Sequence, residues 1–317
     1  MMTYATCPYE FQSFSPTLSR GKGGSQAATV GAQKSSYPEK VTMMMAHAGS
    51  SAVRASAFFR RSSCRLPRPA QSWASVSTRS ATLSSYGTVV EGDSNTEGFR
   101  MFVTSEGKKI SPWHDIPLFT SDKTCNFFCE IPKETSAKME CDTEGALNPI
   151  KQDMKKGKLR FYPYNINWNY GMLPQTWEDP EVTNKECNAA GDNDPVDVVE
   201  IGGRQMGMGE VAEVKPLGCL AMIDEGELDW KVLAIATSDP HASEIHDVDD
   251  IEKFYPGTVD AVRTWFRDYK IPDGKPANSY GYDDKALGRD FAIEVIKETQ
   301  GLYNGLKSRA DKGDLVF

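Results

Sequence analysis

The chain has 317 residues, 39% of them hydrophobic, and a net charge of −8 at pH 7, which suffices for a sizeable core in one large or two ordinary domains. No stretch approaches the roughly 18 to 20 consecutive apolar residues that cross a bilayer, and the mean hydropathy is −0.49, so a helical membrane pump is excluded. The charge is segregated: residues 1–80 hold ten Lys and Arg against Glu10 and Glu39 alone, leaving −16 for residues 81–317, a body that repels nucleic-acid phosphates unless it holds cations.

Residues 1–80 are rich in Ser, Ala and Arg, as in SSAVRASAFFRRSSCRLPRPAQSWASVSTRS, without sustained periodicity. Such composition reads as a cleavable organelle-targeting leader; the alternative is a disordered basic tail that binds nucleic acid or membrane. From Ser85 the composition changes. Short strand-like runs follow at 126–131 (NFFCEI), 138–141 (KMEC), 159–162 (LRFY), 196–202 (VDVVEIG), 211–215 (VAEVK), 217–224 (LGCLAMID) and 230–237 (WKVLAIAT), separated by Gly- and Pro-containing turns. Many short strands in succession point to a barrel or sandwich. After Pro256-Gly257, Val259, Val262, Trp265, Phe266 and Tyr269 recur at helical spacing, and a second stripe runs through Leu287, Phe291, Val295, Ile296, Leu302, Tyr303 and Leu306. Both are expected to pack as helices on the barrel's flank, giving an α+β domain over 85–317.

Seven cysteines without a CxxC pair read as reduced thiols, and four histidines outside any HExxH spacing make a zinc centre an unlikely occupant. The chemistry concentrates in acids. Gly191-Asp192-Asn193-Asp194-Pro195-Val196-Asp197 places three carboxylates within six residues where a loop enters a strand. This pattern suits a hard divalent cation, and equally an acidic turn capped by Asx hydrogen bonds. It is no EF-hand, because Val196 and Asp197 fall where a ligand and a glycine are required. A second acidic set, Asp224, Glu225, Glu227 and Asp229, crowds a hairpin that runs on to Lys231. Like charge gathered there costs stability unless cations neutralise it. Lys138 and Glu140 share one strand face, and Arg160, Tyr170, Tyr269 and Lys270 could grip phosphate oxygens. With neither a nucleophilic Ser or Cys elbow nor a GxxxxGK[ST] loop, water is the expected attacker, by direct hydrolysis.

At this point the residues resemble the family I soluble inorganic pyrophosphatases. Asp192-Asn193-Asp194-Pro195-Val196-Asp197 meets the family pattern D-[SGDN]-D-[PE]-[LIVMF]-D, and the blocks at 130–140, 147–160, 169–180, 224–232 and 265–278 follow in family order. The resemblance implies a small closed OB-like β-barrel with flanking α-helices, hydrolysis of Mg-diphosphate, Mg²⁺ as cofactor, and neither nucleic acid nor membrane as partner. It implies that Asp192, Asp197 and Asp229 hold a first Mg²⁺, with Asp197 reaching a second, Asp224 and Asp229 taking one borne by the substrate, and Glu140 serving another. Asp194 would orient or deprotonate the water. Lys138, Arg160, Tyr170, Tyr269 and Lys270 would bind phosphoryl groups, Lys231 would tune neighbouring carboxylates, and Glu130 would support the site. The leader and the block YPYNINWNYG resemble plastid-targeted plant and algal forms, with the mitochondrion as alternative and the oligomer, monomer or dimer, left open. One departure concerns the segment FYPYNINW, where Ile166 lies near the position of a family tyrosine proposed as a proton donor; Tyr162 or Tyr164 could substitute, and the assignment stays open.

Overall fold

The computed structural model describes residues 86–317, so the leader expected over 1–80 lies outside the described residues. The first element is a hairpin that the sequence pattern does not disclose: β1 (Tyr86–Glu91) pairs antiparallel with β2 (Arg100–Ser105), Tyr86 opposite Ser105 and Glu91 opposite Arg100. β1 is exposed along nearly all its length, so burial imposes no alternation on it.

Eight further strands matter for the site: β3 (Thr124–Ile131), β4 (Met139–Cys141), β5 (Ile150–Gln152), β6 (Phe161–Ile166), β7 (Asn169–Met172), β8 (Asp197–Glu200), β9 (Val211–Asp224) and β10 (Glu227–Ala236). Five of them form a ring of pairings. β9 pairs antiparallel with β10, β10 parallel with β8, β8 antiparallel with β7, β7 with β3, and β3 returns to β9. The ring closes because β9 is long enough to serve two neighbours, Val211–Val214 facing β3 and Val214–Asp224 facing β10. The two strands expected at 211–215 and 217–224 are therefore one, with a register shift between Pro216 and Gly218, where a residue lacking N–H is tolerated. The run expected at 159–162 is in turn broken at Arg160, which lies outside both flanking strands.

Side chains alternate along a strand, so neighbouring residues of the ring enter different clusters. Phe127, Val198, Val232 and Ala234 pack with Ala292, Val295 and Ile296, whereas Phe128, Val199, Leu233 and Ile235 pack with Ile251, Val262 and Phe266. Strands buried on both faces read as continuous apolar runs, which makes NFFCEI and WKVLAIAT conspicuous. Phe127 and Phe128 are fully enclosed, each burial contributing about 1.5–3 kcal/mol.

The helices are α1 (Val248–Phe254), α2 (Thr258–Asp268) and α3 (Arg289–Ser308). α1 has no counterpart in the sequence reading, because its seven residues bury only Val248 and Ile251; the Asp247 carboxylate starts it by accepting from the Val248 amide at 2.7 Å. α2 follows Gly257, whose φ of 75° suits a residue without Cβ, and it buries Val262 and Phe266. α3 buries Ala292, Val295, Ile296, Tyr303 and Leu306. It begins later than the apolar stripe: Leu287 belongs to a short strand opposite Cys219 of β9, and Phe291 is exposed, its ring 5.9 Å from that of Trp230. Among the described residues the five cysteines are unpaired, with Cys125, Cys129, Cys141 and Cys219 buried and Cys187 half-buried, and no helix is long and apolar enough to cross a membrane.

Candidate functional site

All thirteen site residues expected from the sequence line a single cavity of about 330 Å³. The ring strands bring the central ones together. Asp229 and Lys231 are two apart in β10 and share a face with Leu233 and Ile235, so the site is the polar end of an otherwise apolar surface. The parallel register of β8 and β10 sets Asp197 opposite Lys231, and Tyr170 arrives from β7, whose Met172 lies opposite Asp197. Lys231, only 2% exposed, is paired with both Asp197 and Asp229. Its ammonium also donates to the Tyr170 hydroxyl at 3.0 Å, and that hydroxyl donates to Asp197.

The loop before β8 is held by its own backbone. The Asp192 carboxylate accepts from the Asp194 amide at 3.0 Å, and Asn193 takes a φ of 75°, a conformation Asn tolerates. An Asx turn and a site wall are thus the same structure. Gly191 is needed because any Cβ there would come within 2.4 Å of the Glu178 carbonyl carbon.

Two cationic arms flank the acids. Lys138, at the entrance to β4, donates to Glu140 at 2.7 Å and lies 3.1 Å from Asp153, which also accepts from Arg160 at 2.7 Å. Arg160 is fixed by its backbone: its carbonyl accepts from the Lys138 amide at 3.1 Å and from Gln152 at 2.8 Å. At the far side, beyond the end of α2, Lys270 pairs with Asp224, and the Tyr269 hydroxyl donates to Asp224 at 3.3 Å. Glu130 is buried beneath the cavity and accepts from the Cys141 amide at 2.6 Å. Of the two tyrosines left open, Tyr162 borders the cavity while Tyr164 is exposed outside it, and Ile166 is fully buried.

Enclosure shapes the acid–base character. Desolvation, reinforced by Glu140 and opposed by Lys138, raises Asp194 to about 7, although the residue itself is exposed at the cavity's edge. Asp229 is likewise raised to about 7, chiefly by burial and against the pull of Lys231. Burial and the charge of Asp229 push Asp192 well above the ordinary carboxylate range. For Lys138 burial opposes the charge, but Glu140 and its neighbours outweigh it and the ammonium is held more firmly than usual. These carboxylates resist ionising beside one another, so a bound cation would find them energetically receptive.

Two buried or half-buried acids carry no mark in the sequence. Asp153 joins Lys138 to Arg160, and Glu178, 3% exposed, brings one carboxylate oxygen within 4.8 Å of oxygens from Asp192 and Asp229. Both sit in blocks that match the family pattern, but their partners come from distant segments. The cluster of Glu178, Asp192 and Asp229 could hold a metal ion, and its all-oxygen donor set suits a hard divalent cation better than a thiophilic one.

Residues 127–304 match the family model described as inorganic pyrophosphatase. The chain is similar to soluble inorganic pyrophosphatase 1, chloroplastic, of Chlamydomonas reinhardtii, with 58% identity over 242 residues covering 76% of this chain and 86% of the relative. It is also 58% identical to soluble inorganic pyrophosphatase 6, chloroplastic, of Arabidopsis thaliana over 228 residues, 71% of this chain and 76% of the relative. Among solved structures, the inorganic pyrophosphatase from Schistosoma japonicum superposes with a TM-score of 0.70 at 43% identity, covering 72% of this chain and 84% of that one.

Proposed function

The chain belongs to the inorganic pyrophosphatase family and hydrolyses diphosphate to two phosphates, and from that premise we propose that it does so in the cavity described above, with Mg²⁺ as its cation. The observation that carries this reading is the meeting of carboxylates and phosphate-gripping cations around one cavity. We read the ring of strands as a small closed barrel of the OB-like kind, whose polar end is the site.

Asp192, Asp197 and Asp229 would hold a first cation, and Asp197 would also serve a second. Asp224 and Asp229 would hold one carried in with the diphosphate, and Glu140 would serve another. A Mg²⁺ ion held there would supply a water of lowered pKa and charge to neutralise the phosphoryl oxygens. Asp194 would orient or deprotonate the attacking water. Lys138, Arg160, Tyr170, Tyr269 and Lys270 bind the phosphoryl oxygens, trading their present carboxylate partners for those of the substrate. Lys231 keeps Asp197 and Asp229 from repelling each other. Because water attacks and the leaving group is a phosphate, no strong general acid is required. The purified chain should release phosphate from diphosphate when Mg²⁺ is present and stop when a chelator is added. Absence of phosphate release at every Mg²⁺ concentration would refute the reading.

The basic leader and the two chloroplastic relatives support a plastid location. A fluorescent reporter fused behind residues 1–85 is expected to enter the plastid; a diffuse cytosolic signal would count against this.

A further inference from the structure

We propose that Glu178 is a further carboxylate of the cation site assigned to Asp192, Asp197 and Asp229, closing it beside Asp192 and Asp229 from the protein side rather than from the cavity. The inference rests on the reading of Asp192 and Asp229 as cation ligands, and it adds a residue that the sequence pattern leaves out.

Three observations carry it. One oxygen each from Glu178, Asp192 and Asp229 lies within 4.8 Å of the others, a spacing that a small inward adjustment would bring to the separation of oxygens sharing one divalent ion. The Glu178 side chain is 97% enclosed by the protein, at 3% exposure, yet only half satisfied: Oε1 accepts from the Trp230 amide at 2.9 Å, while Oε2 is buried with no hydrogen-bond partner. A buried carboxylate oxygen in that condition calls for a proton or a cation. Thirdly, the protein's own cations leave two acids of the cluster unpaired. Lys231 is paired with Asp197 and Asp229, and among the described residues no ion pair reaches Glu178 or Asp192.

The carboxylate is also held in place. The Glu178 amide donates to the Asp194 carbonyl and its carbonyl accepts from the Asn193 amide, both at 2.9 Å. The Trp177 indole donates to the Asn193 carbonyl at 3.2 Å. The Gly191 contact leaves no room for a side chain between the two segments. Glu178 and Asp192 are thus parts of one rigid unit, as a preorganised cation site requires.

Glu178→Gln tests the proposal, because Gln keeps an acceptor for the Trp230 amide and removes the charge, setting an NH2 group in place of Oε2. Calorimetric titration of the purified variant with Mg²⁺ alone should show its tightest cation weakened by about tenfold or more, while the metal-free melting temperature holds or rises because an uncompensated buried charge has gone. A merely structural role would lower that temperature instead. Asp192→Asn serves as the reference. Cation affinity within about twofold of wild type in Glu178→Gln, with affinity lost in Asp192→Asn, overturns this inference and leaves the reading of the site intact; affinity unchanged in both overturns the ligand reading and this inference together. Should Glu178→Gln fail to fold, crystals of the wild type with Mn²⁺ decide: anomalous density in contact with the Glu178, Asp192 and Asp229 carboxylates supports the proposal, and Glu178 turned away from the ion refutes it.

Discussion

Asp197→Asn is expected to lower kcat/KM for diphosphate by about a thousandfold or more, a loss of about 4 kcal/mol of transition-state stabilisation. Asp197 stands at the start of β8, opposite Lys231, and one of its oxygens holds both the Tyr170 hydroxyl and the Lys231 ammonium. In the proposed mechanism it also bridges two cations, so a neutral amide weakens both sites at once. The amide further turns an N–H donor toward an ammonium that needs an acceptor. Asp194→Asn makes the contrast: it removes a proton acceptor at the cavity mouth, so turnover should fall while cation affinity stays near that of wild type. Steady-state kinetics and Mg²⁺ titration of the two variants separate the roles. Equal affinity in wild type and Asp197→Asn would sink the bridging assignment.

The largest effect on stability should come from Lys231→Met. The lysine is 2% exposed and paired with two carboxylates, and an apolar side chain of similar length leaves both anions enclosed without their partner. Breaking a buried pair in this way costs about 3–5 kcal/mol, to be read from denaturant unfolding in the presence of a chelator. The pH dependence follows from Asp229, whose pKa in the folded chain is raised to about 7 even with Lys231 present. A carboxyl raised above its unfolded value of about 3.9 stabilises the fold below that value and loses the contribution as the pH rises through its folded pKa. Without Lys231 the folded pKa climbs further, so the deficit should be greatest above about pH 7 and shrink toward about pH 5 as Asp229 protonates. Mg²⁺ should restore part of it, since a ligand at a hundredfold excess over Kd adds about 2.7 kcal/mol. A variant destabilised by less than about 1 kcal/mol at every pH would show that Lys231 does not hold these acids together.

The acidic loop at 191–197 and the hairpin at 224–231 were legible because their residues are contiguous, and the strands around them because burial on both faces makes apolar runs. What the sequence withheld depends on contacts between distant segments. β1 is exposed and so carries no pattern, and α1 is a short helix with two buried residues. Asp153 and Glu178 look like ordinary surface acids until Lys138, Arg160, Asp192 and Asp229 are folded against them. The aspartates alone suggest mutual repulsion that any neutral substitution would relieve. Lys231, buried among them, changes the sign for Asp197: its loss strips a partner from an enclosed ammonium. The choice between Tyr162 and Tyr164 likewise needed the fold, since only the path of β6 decides which ring meets the cavity.

The unpaired cysteines of the body have a consequence for reagents rather than for the fold. Burial pushes the Cys125 thiol up to about 12 and raises Cys129, Cys141 and Cys219 as well, and the thiolate is the reactive form in alkylation and disulfide exchange. Four of the five described thiols are therefore doubly protected, by lack of access and by lack of ionisation. Burial raises Cys187 too, but it is only half-buried, beside Gly281, and among the described thiols it is the one that a thiol-directed reagent or spectroscopic label can reach without first opening the core.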